Sequence, residues 1–146
     1  MKLKITLLYI LLLTSSILGI TELQNTSITI KNETYNIDNP LIIEKNTTYA
    51  PVSLLKQGLN FSIFRAKKIS GYNLRFKHYT ISLPLNSREY WINGNPFFFT
   101  TPPLRYKNEL YLPLEEFLHI NGYKHTKTNN EINITHDSSP LYKESK

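Results

Sequence analysis

The chemistry open to this chain is best judged first from its four histidines, His78, His119, His125 and His136. They are the side chains suited to hold a metal or move a proton near neutral pH. None stands in an HxH, HxxxH or HExxH spacing, and the closest pair, His119 and His125, lies six apart across Gly122. That spacing argues against a copper or zinc site. A neutral histidine needs only one hydrogen-bond partner, so surface or structural roles account for all four. Glu115 and Glu116 are adjacent acids, but neighbouring helical residues point about 100° apart, and catalytic carboxylate pairs face each other across a cleft. Their expected place is the first turn of a helix, where carboxylates meet unpaired N–H groups. No G-x-S-x-G, Walker A or dinucleotide fingerprint occurs. The chain has no cysteine, which removes a thiolate ligand, a cysteine nucleophile and a disulfide frame. No catalytic residue, metal ligand or cofactor is therefore assigned, and the expectation is that the chain is not an enzyme.

The most informative charged feature is a basic block. Between Glu44 and Glu89 there is no acid, while eight cations fall there, among them Arg65, Lys67, Lys68, Arg75 and Lys77. Residues 20–44 carry −3 and residues 89–146 carry −1, so the charge is unevenly spread. Such asymmetry can create a positive face for an anionic partner. The competing reading is a solvated surface, which is what charge runs usually are. Arg65, Lys67, Lys68, Arg75 and Lys77 are the candidate anion-binding residues. A second feature is aromatic: Tyr90, Trp91, Phe97, Phe98 and Phe99 flank one turn. Strand alternation sends Phe97 and Phe99 to one face and Phe98 to the other. Phe98 or Trp91 is thus available to stack on a sugar or a protein partner, against core burial as the plainer alternative.

These residues must be positioned by something, and the chain begins with a segment that does not contribute. Lys2 and Lys4 precede a mostly apolar run over residues 5–13, followed by small polar residues and Gly19. That order reads as a secretory signal peptide over residues 1–19. The apolar stretch is shorter than the ~20 residues a spanning helix needs, so no transmembrane span is expected after cleavage. Cleavage removes two lysines and no acid, lowering the net charge from +6 to +4. The expected location is secreted, periplasmic or cell-surface, which favours envelope polymers or proteins over nucleic acid as partners. About 125 residues suffice for one core without disulfides.

An internal repeat organises the rest. At an offset of 62, Ile30 falls on Ile92, Pro40 on Pro102, Lys45 on Lys107, Asn46 on Asn108, Tyr49 on Tyr111 and Pro51 on Pro113. Each unit opens with an alternating strand, Ile28-Thr29-Ile30 or Tyr90-Trp91-Ile92, and a turn, with Asn93-Gly94 a strong hairpin signal. A Pro-containing loop, a third strand and an Asn-marked turn follow. The Tyr49 and Tyr111 strands then run through Pro51 and Pro113 into helices. Val52, Leu55 and Leu59 share one helical face, as do Leu114, Phe117 and Leu118. Asn60 and Gly122 fit left-handed caps. The repeat units span about 28–83 and 90–135, within a single domain of 20–135, and residues 136–146 read as a flexible tail.

The run Trp91-Ile92-Asn93-Gly94, the Pro102-Pro103 loop and the stretch Asn108-Glu109-Leu110-Tyr111-Leu112-Pro113-Leu114, followed by Phe117 and Gly122, resemble the copper amine oxidase-like N-terminal domain. The resemblance covers roughly residues 28–135, and Asn60 and Asn121 depart from the family's Gly and Leu. It implies a stalk domain that carries neither copper nor quinone and recurs in exported bacterial envelope proteins. It also implies an α+β fold with antiparallel sheet and helices. The combined expectation is α+β: an antiparallel β-meander sheet with two short helices, from a duplicated β-β-β-α-β unit. The expected function is a non-catalytic exported cell-envelope stalk or interaction module. The alternative is a binding module for anionic or glycan envelope polymers through its basic face.

Overall fold

The computed structural model describes residues 19–36 and 38–137. The expected leader, apart from Gly19, and tail residues 138–146 lie outside the described residues. His136, assigned to the tail from sequence, instead belongs to a strand. Strands β1 (Ile20–Leu23), β2 (Ser27–Ile30), β3 (Glu33–Tyr35), β4 (Leu41–Glu44) and β5 (Thr47–Pro51) lead into helix α1 (Val52–Leu59). Strands β6 (Ser62–Arg65), β7 (Gly71–Arg75), β8 (Thr80–Pro84), β9 (Glu89–Ile92), β10 (Asn95–Phe98), β11 (Leu104–Tyr106) and β12 (Glu109–Pro113) precede helix α2 (Leu114–Ile120). Strands β13 (Tyr123–Lys127) and β14 (Glu131–His136) follow. The class is α+β, as expected. Among the described residues no helix is long and apolar enough to cross a membrane.

The single meander sheet is corrected. The strands form three sheets, ordered β1-β4-β5-β12-β11, β10-β9-β8-β7-β6 and β13-β14-β2-β3. One pairing is parallel, β14 with β2. Alternation fixes which side chains share a face, but not which sheet a strand joins, and long-range pairing decides the rest. The unit is longer than β-β-β-α-β: from Ser27 onward four strands precede α1, β4 and β5 being the two arms of the hairpin closed at the Lys45-Asn46 turn, and β6, β7 and β8 follow it.

The turns carry the sequence signal most directly. Lys31-Asn32, Lys45-Asn46, Asn93-Gly94 and Lys107-Asn108 all have positive φ at both positions. That is the type I′ geometry whose twist matches flanking strands. Pro51 and Pro113 sit one position earlier than expected, ending their strands and capping the helices in extended conformation (ψ 138° and 111°). Proline fixes φ near −65°, which suits a strand end as well as a first helical turn. Asn60 takes the left-handed conformation at the end of α1, and Gly122 does so beyond α2. Asn121, a departure from the family pattern, donates from Nδ2 to the Phe117 carbonyl at 2.6 Å and accepts the Tyr79 hydroxyl at 2.5 Å. It satisfies a helix-end carbonyl and ties the β7–β8 turn to α2.

Strands β5 and β12 lie side by side at the middle of the first sheet, with Leu112 opposite Ala50 and Tyr49 opposite Pro113. The partners of these residues recur at a spacing of 62. The Tyr49 hydroxyl donates to the Pro102 carbonyl at 3.1 Å and the Tyr111 hydroxyl to the Pro40 carbonyl at 3.0 Å. Ile42 pairs with Tyr49 as Leu104 pairs with Tyr111. One face of this sheet supplies Leu41, Ala50, Leu110 and Leu112 to the main core, shared with both helices and both outer sheets. The other face holds a small second core of Ile42, Tyr49 and Tyr111, against which Ile20, Leu104 and Tyr106 pack. Glu22 on edge strand β1 accepts the Tyr106 hydroxyl of the opposite edge at 2.7 Å and pairs with Lys107. The sheet therefore curls until its two edges touch. The Lys107 ammonium and then the Tyr106 hydroxyl hold the Glu22 carboxyl below its ordinary range.

Helix α1 lacks an acid in its first turn and a side-chain cap of its own. Glu109 from β12 supplies one, accepting from the Ser53 backbone N–H at 2.9 Å. On its inner side α1 presses against β2 so closely that a Cβ on Gly58 would stand 2.1 Å from Ile30 Cδ1. No charged or polar residue is buried in the core among the described residues.

Candidate binding groove

The outer face of the β6–β10 sheet is built by register. Phe64 pairs with Asn73, Asn73 with Ser82, and Ser82 with Trp91. Cross-strand partners share a face, so these four side chains form one row across β6, β7, β8 and β9. Their chain neighbours Leu74, Ile81, Leu83 and Ile92 turn the other way, into the core. Alternation thus forces the row outward. Asn73 and Ser82 are linked, Ser82 Oγ donating to Asn73 Oδ1 at 2.9 Å.

A groove of about 620 Å³ runs along this row, bounded by Phe64 and Trp91 and by the loop after β6. That loop is short and held at both ends: Ala66 N–H donates to Gly71 O at 3.0 Å, and Leu85 N–H to Ser70 O at 2.8 Å. It carries Lys67 and Lys68 to the groove wall. Arg65 and Arg75 line the same groove, and the Arg75 guanidinium lies 5.0 Å from the centre of the Phe64 ring. Stacking a guanidinium on a ring fixes its direction while leaving its N–H groups free at the edge. Among the described residues no acid lines the groove. Strand β8 has room beside β7 because residue 71 is glycine, where a Cβ would stand 2.0 Å from the Leu83 carbonyl oxygen.

Of the five cations singled out in the sequence, four meet here: Arg65, Lys67, Lys68 and Arg75. Lys77 is exposed in the turn between β7 and β8 and does not line the groove. Of the two aromatics considered for exposure, Trp91 is half-buried in the groove wall, and Phe98 is 66 % exposed on edge strand β10, outside it. Phe64, 46 % exposed, was missed, although the alternation Ile63 in, Phe64 out was available. Asn73 and Ser82 carried no signal of their own, since only register puts them between two rings.

The remaining candidates stand apart. His78, His119 and His136 are exposed and His125 is half-buried. Among the described residues no group of three His, Cys, Asp or Glu side chains stands together where it could hold a metal. Glu115 is exposed, and Glu116 accepts the Thr100 backbone N–H at 2.8 Å, tethering the loop before β11 to α2. Their roles are those of helix-start carboxylates.

No curated protein and no solved structure matches the chain. The family described as copper amine oxidase N-terminal domain does, over residues 29–136. The matched stretch runs from within β2 to the last residue of β14, and so takes in both helices, the paired Tyr-x-Pro strands and every groove residue. On that match this chain belongs to the copper amine oxidase N-terminal domain family.

Proposed function

We propose that this protein is a non-catalytic, exported cell-envelope module whose β6–β9 groove binds an anionic polymer of the envelope. The observation that carries the proposal is the convergence of Arg65, Lys67, Lys68 and Arg75 on one groove in which, among the described residues, no acid stands. Cations gathered in a concave site focus potential more than the same cations spread over a surface. The leader-like residues 1–19 support export to a secreted, periplasmic or cell-surface location. The stalk role implied by the family supports a binding rather than a catalytic part. The recurrence of turns and pairings at a spacing of 62 supports descent from a duplicated unit.

The test is co-sedimentation of the purified protein with isolated envelope at low and high salt. Screening shortens the reach of charge from about 10 Å at 0.1 M to about 3 Å at 1 M salt. Binding through the groove falls steeply over that range and is lost when Arg65, Lys67, Lys68 and Arg75 are all changed to alanine. Retention that ignores both salt and these substitutions points to a protein partner elsewhere on the surface and refutes the groove reading.

A further inference from the structure

We infer that the polymer recognised by the groove is an acidic polysaccharide, one whose negative groups are carried on sugar rings, lying across the strands from Phe64 to Trp91. This rests on the anionic-polymer reading above and narrows it. The two rings stand at the ends of the row Phe64-Asn73-Ser82-Trp91, three strand spacings apart. At ~4.8 Å per strand that is about 14 Å. One sugar ring cannot touch both, so the row suits a segment of chain rather than a monosaccharide.

Each part of the row matches a part of such a ligand. Aromatic faces take up the apolar C–H face of a sugar ring, and both rings are partly exposed on the same side of the sheet. Between them, the Ser82 bond uses only the carbonyl oxygen of Asn73, whose NH₂ retains two donors for sugar hydroxyls. Stacked over the Phe64 ring, the Arg75 guanidinium is held in place, and its planar fork matches a carboxylate with two parallel hydrogen bonds. An exposed ring with a guanidinium stacked on it suits a sugar that bears its acid on the ring. A phosphate chain without rings leaves Phe64 and Trp91 uncovered. A neutral glycan leaves four cations unanswered.

The chain has one tryptophan, Trp91, so its fluorescence reads the groove directly. The experiment titrates the purified protein with polygalacturonate, with polyphosphate and with a neutral β-glucan, following tryptophan emission and, separately, bound polymer. Polygalacturonate is expected to bind and shift the emission, and Phe64→Ala to weaken it by about tenfold. Arg75→Gln is expected to reduce the preference for polygalacturonate over the neutral glucan, and a circular dichroism melt checks that both variants fold. Polyphosphate binding as tightly as polygalacturonate, with emission unmoved and Phe64→Ala without effect, overturns the polysaccharide assignment but leaves the anionic-polymer reading standing. A neutral glucan binding as tightly as polygalacturonate overturns the requirement for acid. Failure of every anionic polymer to bind removes both.

Discussion

The two outer sheets make an instructive pair, because they present equivalent positions with different side chains. In the β6–β10 sheet the outward row reads Phe64, Asn73, Ser82, Trp91 and Pro96. In the β13-β14-β2-β3 sheet it reads Thr126, Asn133, Thr29 and Thr34. Thr126 stands 62 positions from Phe64, Thr29 from Trp91 and Thr34 from Pro96, and an asparagine occupies the second place in both rows. The difference is one strand and two rings. Strand β14 pairs with β2 directly and in parallel, whereas β8 is inserted between β7 and β9 and turns that contact antiparallel on both sides. The insertion widens the sheet and separates its two aromatics. One frame thus carries a polar wall of threonines on one side and a cationic, ring-ended groove on the other.

The comparison breaks most severely at Gly71. The place of Gly71 on β14 is taken by Glu131, which has no inserted strand to avoid. Gly71→Ala drives a Cβ into the Leu83 backbone and is expected to cost roughly 2–4 kcal/mol, measured by urea denaturation. Hydrogen exchange then shows whether β7 and β8 lose protection while β14 and β2 keep theirs. Equal loss in both sheets contradicts the separation drawn here. Gly58→Ala, which presses on Ile30 of the other sheet, is expected to cost less, about 1–2 kcal/mol, since the nearest atom is the tip of a side chain.

Alkaline pH distinguishes the sheets on their inner sides. Tyr90 faces the core from β9 where Ile28 does so from β2. Burial pushes the Tyr90 phenol from its ordinary 10 up to about 12, and the Tyr111 phenol likewise. Because the folded chain holds these protons more tightly than the unfolded chain, stability is complete below pH 10 and declines as pH rises through about 12. Tyr90→Phe is expected to flatten part of that decline, read as the change in melting temperature across that pH range. A slope identical to that of the unchanged protein assigns the whole effect to other groups. The smallest expected effect is on stability of the paired substitutions Thr29→Trp and Thr126→Phe. Both sites face outward, so the melt moves by less than about 0.5 kcal/mol. These changes confer no polysaccharide binding, because rings without the Arg65–Arg75 cations and without the spacing set by β8 do not make the groove. Acquired binding shows the rings alone to be sufficient.

Much of this architecture was written in local residue choice. The four left-handed turns, the Tyr-x-Pro strands and the apolar faces of α1 and α2 follow from Asn, Gly, Pro and the spacing of Leu and Phe. Four of the groove's cations were legible as a stretch without acids. What sequence alone left open was partnership. Nothing local in Ser27-Ile28-Thr29-Ile30 says that it lies beside Glu131-Ile132-Asn133-Ile134, and nothing in Thr80-Ile81-Ser82-Leu83 says that it separates β7 from β9. Those are long-range choices made by the shared core, and Phe64 became a groove wall only through them. Strand β1 was overlooked for a related reason: its hold on the sheet comes from β4 and from the distant Tyr106 and Lys107, not from its own four residues.

The parallel contact of β2 with β14 also sets an order of events. Ser27 N–H reaches the Asn130 carbonyl 103 positions further on, and the β8–β9 contact joins the two halves again in the opposite outer sheet. Neither half therefore owns a complete sheet, and a ribosome must deliver residues as late as Ile134 before β2, already paired with β3, gains its second neighbour. Such distant closure slows assembly, because loop entropy is lost before contacts repay it. A chain cut in the Asn86-Ser87 turn is accordingly expected to yield fragments that remain open alone and regain structure only when mixed.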